Sequence, residues 1–236
     1  MNERRWQIAC PSSALRQGPK AIIMDDVALV LFRGDGGRPT AVPDRCPHRG
    51  VPLSMGHCRS GRIVCRYHGW TFDGDGVCVA IPSNVEPTLP RGMLTPFAAC
   101  EQDGYVWVVA LPGSPATPMP APLPLAGRRW RQTTRVLAGP ADRMRDALAG
   151  LGSHDVTLDD NGSFWWNEPI GAGQTMPVMA VVVAETDVRC RLEVMIGETT
   201  VWPFQRGCCR WHADGALPVT LQNVAFVVSD VGSETV

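Results

Sequence analysis

Two short stretches restrict this 236-residue chain more than any other feature: Cys46-x-His48 and, sixteen residues later, Cys65-x2-His68. Two thiols and two imidazoles in that order are a metal-ligand set. Zinc is the first candidate, but zinc sites of this composition usually place a Cys pair before a His pair, with the His pair on a helix. Here each stretch supplies one Cys and one His, and neither has helical character. The arrangement suits a [2Fe–2S] centre in which one iron takes both thiolates and the other both imidazoles. Neutral imidazoles in place of two anionic thiolates raise the potential of such a cluster and make it a one-electron relay.

The remaining composition is permissive. Hydrophobic residues make up 44% and charged residues 19%, with a net charge of −1, so nothing points to a nucleic-acid or membrane partner. The longest apolar run, VMAVVVA at 178–184, is far short of the roughly 20 residues a membrane span needs. MNERRWQIAC lacks an apolar signal-peptide core, which gives the expectation of a cytoplasmic protein. Nine cysteines, an odd number, argue for reduced thiols or metal ligands rather than a disulfide framework. The Cys208–Cys209 pair is read as two strand residues facing opposite ways.

Residues 1–111 read as a run of short strands. AIIMDDVALVLFR (21–33) is β-rich around an Asp-Asp turn, TFDGDGVCVAI (71–81) is strand, turn, strand, and GYVWVVAL (104–111) closes the series. Six prolines between Pro112 and Pro124 then mark a linker, taken as 112–127. Residues 128–236 read as α+β. RWRQTTRVLAG is a strand, and PADRMRDALAG is a short helix with Pro140 at its start, Met144 and Leu148 four apart, and Gly150 at its end. TMPVMAVVVAE and VRCRLEVMI form a hairpin about Thr186-Asp187, and further strands are expected at 199–212 and 217–229.

CPHRG and CRYHGW resemble the two cluster loops of Rieske non-haem iron oxygenases of the vanillate-demethylase or phthalate type. The likeness extends over most of residues 6–111, through WQIAC, LVLFRGDGG, VPDRCPHRGVPLSMG, IPS and DGYVWVV. It implies an all-β Rieske [2Fe–2S] domain held by Cys46, His48, Cys65 and His68. The second half then resembles a truncated oxygenase catalytic domain of helix-grip type. The loops lack the extra cysteine pair of respiratory Rieske proteins, which implies the lower-potential, oxygenase-type centre. His57 and Cys58, between the loops, are expected to be packing residues.

In that family a second domain binds a mononuclear iron through two His and a carboxylate, leaving positions open for oxygen. Its signature, Asn-x2-Asp-x2-His-x4-His, falls here on Arg143, Asp146, Ala149 and His154. Asp146 keeps the position that bridges to a neighbouring subunit's cluster, and His154 is a vestigial ligand position, but Ala149 cannot ligate. Five histidines less two cluster ligands leave His57, His154 and His212. A rebuilt iron site would need His154, His212 and a carboxylate such as Asp155 or Asp159. The expectation is therefore a cluster without mononuclear Fe(II). Such a chain is an electron-transfer subunit, fed by a reductase or ferredoxin and serving a catalytic oxygenase subunit in a trimer or hexamer. The alternative is a self-sufficient hydroxylase or demethylase with unusual iron ligands, for which Trp165, Trp166, Met176 and Met179 would line an apolar pocket or, more simply, a core. A weaker third reading is a binding or assembly protein in which the cluster only stabilises the fold or senses redox state.

Overall fold

The structure, a computed structural model, describes residues 6–82, 94–113, 123, 130–151, 156–159, 162–171 and 173–197. The chain forms two compact units, Met1–Pro122 and Leu123–Val236.

The first unit contains three small antiparallel sheets. One has the order β1 (Trp6–Pro11), β10 (Tyr105–Val109), β9 (Ala99–Gln102). The second joins β2 (Lys20–Met24), β3 (Val27–Arg33) and β4 (Pro39–Pro43). The third joins β5 (His57–Arg59), β6 (Arg62–Val64), β7 (Thr71–Phe72) and β8 (Cys78–Ala80). Asp25 and Asp26 turn the β2–β3 hairpin with φ of 47° and 64°. This left-handed pair matches the right-handed twist of the flanking strands, and Asp tolerates it better than most residues. Val30, Phe32, Val42, Leu53, Ile63 and Phe72 form a core that also takes in Cys46, Cys65 and Cys78. Beside it, Arg33 is fixed on Glu101, its Nη2 donating to Oε1 at 3.2 Å.

In the second unit one antiparallel sheet has the order β11 (Trp130–Ala138), β15 (Arg189–Gly197), β14 (Gln174–Thr186), β13 (Ser163–Gly171), β12 (Thr157–Leu158). A single described helix, α1 (Ala141–Ala149), packs on one face. Ala141, Met144 and Leu148 form its buried stripe, against Trp166, Val178, Val182, Leu192 and Val194 of the sheet. Each fully buried Met or Leu there stabilises by about 1.5–3 kcal/mol. The Gly150 amide closes the helix by donating to the Asp146 carbonyl at 2.8 Å. The hairpin between β14 and β15 turns at Asp187-Val188, one residue later than the sequence reading, because strand pairing runs through Thr186.

On β15, Cys190, Leu192, Val194 and Ile196 face α1, so Arg191 and Glu193 lie on the other face of the sheet. Both are buried, as is Glu185 of β14. Arg191 Nε lies 2.9 Å from Glu193 and its Nη1 3.4 Å from Glu185, while Arg189 Nε reaches Glu185 at 2.7 Å. Thr134 donates to Glu193 Oε2 at 2.7 Å. Two carboxylates thus meet two guanidiniums inside the sheet. Its middle strand is buried on both faces, which explains a continuous apolar run in place of alternation.

Candidate metal centre

Two loops at one end of the β5–β8 sheet are built alike. In the first, the Cys46 amide donates to the Val51 carbonyl at 2.8 Å and the Gly50 amide to the Cys46 carbonyl at 2.7 Å. In the second, the Cys65 amide donates to the Trp70 carbonyl at 2.8 Å and the Gly69 amide to the Cys65 carbonyl at 3.0 Å. Each is a closed turn of the form Cys-x3-Gly whose glycine has a left-handed φ, 72° at Gly50 and 69° at Gly69. A side chain at position 69 would also meet Pro82 Cγ at 2.8 Å. The repeated Cys-x3-Gly spacing was visible in the sequence, and it is the signal by which these two glycines could have been picked out.

The loops bring Cys46, His48, Cys65 and His68 to one place. The thiols of Cys46 and Cys65 are 2% and 3% exposed and pack in the same core. The imidazoles of His48 and His68 are exposed, and their Nδ1 atoms face each other at 3.0 Å. That spacing lets both nitrogens lie about 2.1 Å from one metal ion. Among the described residues no three His, Cys, Asp or Glu side chains converge on a single ion. The donors therefore stand as a buried thiol pair and an exposed imidazole pair. A two-iron cluster needs two pairs of donors, and a buried thiol pair beside an exposed imidazole pair fits it.

Burial pushes the Cys46 thiol up to about 11, and the neighbouring Cys65 adds to the shift. Iron binding must displace that proton. The His48 imidazole is held below its ordinary value by desolvation, then by the positive charges of His68 and Arg49, which favours the neutral, ligating form. Trp70 lies flat on His48, ring centroids 4.7 Å apart and planes 3° from parallel, and Tyr67 packs on His68 at 3.9 Å. Neither contact was foreseen from the sequence, although both residues sit within the CRYHGW motif.

The other candidates separate from this centre. His57 and Cys58 sit on β5 rather than in a loop, and they line a cleft of about 610 Å³ with Leu15, Arg16 and Arg33. Asp146 lies on the exposed face of α1, together with Arg143 and Ala149, three residues apart in turn. Asp159 has both carboxylate oxygens engaged, by the Ser163 amide at 2.8 Å and the Trp165 indole at 2.9 Å. Trp166, Met176 and Met179 are buried core residues, and Trp165 packs edge-on against Trp130. His154, Asp155, His212, the Cys208–Cys209 pair, the strands expected beyond residue 198 and most of the Pro-rich segment lie outside the described residues. Among the described residues, no helix is long and apolar enough to cross a membrane.

Comparison with known proteins agrees with the geometry. Residues 5–98 match the family described as Rieske [2Fe-2S] domain. The vanillate O-demethylase oxygenase subunit of Pseudomonas sp. (strain ATCC 19151) is 41% identical over 96 residues, which cover 41% of this chain and 28% of that protein. The oxygenase component of dicamba O-demethylase from Stenotrophomonas maltophilia is 34% identical over 134 residues, covering 57% of this chain and 39% of that protein. The chain thus spans well under half the length of the curated relatives it matches. The crystal structure of apo dicamba monooxygenase shares the fold, with a TM-score of 0.74 at 21% identity, over 98% of this chain and 87% of that one. Residues 5–98 are a Rieske [2Fe–2S] domain, and over that stretch the chain is similar to the oxygenase components of vanillate and dicamba O-demethylases.

Proposed function

We propose that this chain is a Rieske electron-transfer subunit of a non-haem iron oxygenase system, passing electrons to the mononuclear iron of a partner subunit. The observation that carries the reading is the outer face of α1. There Asp146 keeps the family's bridging position, while the neighbouring first-histidine position is Ala149, a methyl group that cannot ligate. The second unit, whose sheet and single described helix we read as a shortened α+β catalytic-type domain, would then lack a complete iron site of its own. Residues 1–111 serve as the cluster domain, 112–127 as the linker and 128–236 as that shortened domain.

When bound, a [2Fe–2S] cluster supplies one-electron relay chemistry at a potential raised by its imidazole ligands. Cys46 and Cys65 would hold it from the core side and keep water from the thiolates. His48 and His68 would hold it from the solvent side and present their exposed edge to a redox partner. Trp70 and Tyr67 fix the two rings there. Asp146, exposed on α1, is free to hydrogen-bond across a subunit interface. The reading requires a reductase or ferredoxin as donor and a catalytic oxygenase subunit in a trimer or hexamer. The seven described cysteines are free thiols, which suits a reducing, cytoplasmic setting.

One observation favours a second reading, a self-sufficient oxygenase of a small organic substrate. The fold likeness to dicamba monooxygenase continues through the second unit. That reading requires His154, His212 and a carboxylate to rebuild the iron site. Iron per chain in anaerobically prepared protein, followed by EPR after ferrous loading and nitric oxide, separates the two. Two irons with a reduced Rieske signal and no high-spin nitrosyl signal are expected. A third iron giving that signal, and lost in His154→Ala, would sink the relay reading.

A further inference from the structure

Charge is unevenly spread along this chain. It has 22 basic and 23 acidic residues, yet the stretch from Arg45 to Trp70 contains five arginines and no Asp or Glu. The rest of the chain is therefore acidic. Arg45, Arg49, Arg59, Arg62 and Arg66 are all exposed, and among the described residues none forms an ion pair. They fall into two groups. Arg59 and Arg62 flank the β5–β6 turn, where Gly61 packs closely against Asp35. Arg45, Arg49 and Arg66 belong to the cluster loops: Arg45 lies over Gly50, and Arg49 directly follows His48 in the chain. The exposed His48 and His68 share these loops with Arg49 and Arg66, one and two residues away in the chain, and Tyr67, 55% exposed, packs on His68.

From this placement we infer that Arg45, Arg49 and Arg66 form a basic collar around the histidine edge, onto which an acidic one-electron carrier protein docks to deliver its electron. The inference rests on the electron-transfer reading above and adds the charge of the donor's docking face. Two thiolates balance little of this charge once the irons are counted, so the collar keeps a positive field at the point of electron entry. An acidic face is drawn to it from beyond contact distance, and the exposed Tyr67 ring gives the encounter an apolar centre. A donor with a basic face would be repelled. Steering of this kind changes association rate by 10-fold or more and is lost as salt shortens its range.

The test uses the full chain with its cluster, mixed in stopped flow with two reductants of opposite charge: a reduced acidic plant-type ferredoxin and the methyl viologen radical cation. Between about 20 and 300 mM salt the ferredoxin rate constant is expected to fall roughly tenfold or more, and the viologen rate to hold or rise. Arg45→Gln/Arg49→Gln/Arg66→Gln should flatten the ferredoxin dependence, whereas Arg59→Gln/Arg62→Gln should keep it. If the triple variant loses its cluster, the opposed salt slopes of the unaltered chain decide the matter alone. A ferredoxin rate indifferent to salt, with viologen still reducing the cluster, would overturn the collar and leave the relay intact. So would a triple variant whose self-association changes while its ferredoxin slope does not, because the collar would then face a second copy of the chain. A chain whose cluster neither reductant reduces would overturn both the collar and the relay.

Discussion

Trp70 touches both halves of the ligand set. Its carbonyl accepts the Cys65 amide, and its ring covers His48 from the other loop. Removing the ring while keeping the backbone separates the two roles. A stacked ring pair contributes about 0.5–1.5 kcal/mol. Trp70→Leu should therefore release iron to a chelator up to about tenfold faster and broaden the reduced EPR signal, and Trp70→Phe should restore most of both. Release followed by ferrous-chelate absorbance checks this; equal rates in all three proteins would make the stack irrelevant. Arg33 and Glu101 give a second test. The Arg33 hydrogen bond holds the Glu101 carboxyl below its usual range. A depressed carboxylate stabilises fully above its unfolded pKa and loses that contribution as pH falls through the folded one. The pair is partly exposed, so screening leaves about 0.5–1 kcal/mol. Glu101→Gln should destabilise by that amount at neutral pH and by progressively less as pH falls below the usual carboxylate range, measured by urea melts at each pH. At this scale the meeting of Cys46, His48, Cys65 and His68 was legible, because their spacing placed them on two loops. The Trp70 stack was not, because nothing local tells an aromatic residue which ring it will meet across a turn.

α1 shows what periodicity can and cannot deliver. Pro140, the Met144–Leu148 spacing and Gly150 gave its limits to within a residue, and the same spacing identified its buried face. Met144→Ala should cost about 2–5 kcal/mol by creating a cavity against the sheet, read as a lower urea midpoint with unchanged slope. The loss would confirm that this stripe, rather than Arg143, Asp146 and Ala149, carries the packing. β11, β14 and β15 were equally readable, whereas β13, nine residues long, was not read as a strand. β5 and β12, three and two residues long, were not read, because so short a segment becomes a strand only when neighbours pair with it. The hairpin turn after β14 moved by one residue for the same reason: register across a sheet, rather than the turn's own sequence, sets where pairing stops.

Across the whole molecule, cofactor and packing divide between the two units. The ligands lie within the first, so stripping iron with a chelator should lower one calorimetric transition by at least about 5 °C and leave another in place. A single transition that moves as a whole would mean the two unfold together. The kinship is divided too. The Rieske family model matches within the first unit, at residues 5–98, while likeness of fold runs through both. Apolar positions explain the drift, since one branched side chain can replace another at small cost. The charges inside the second sheet have no such freedom. Glu185, Arg191 and Glu193 are buried together, with the half-exposed Arg189 supplying the second positive charge at Glu185, and losing one buried member strands a charge at about 3–5 kcal/mol. Their inheritance is therefore collective. Among this chain's relatives the three should be present together or replaced together, which makes them a lineage mark in the half of the molecule where overall identity has faded.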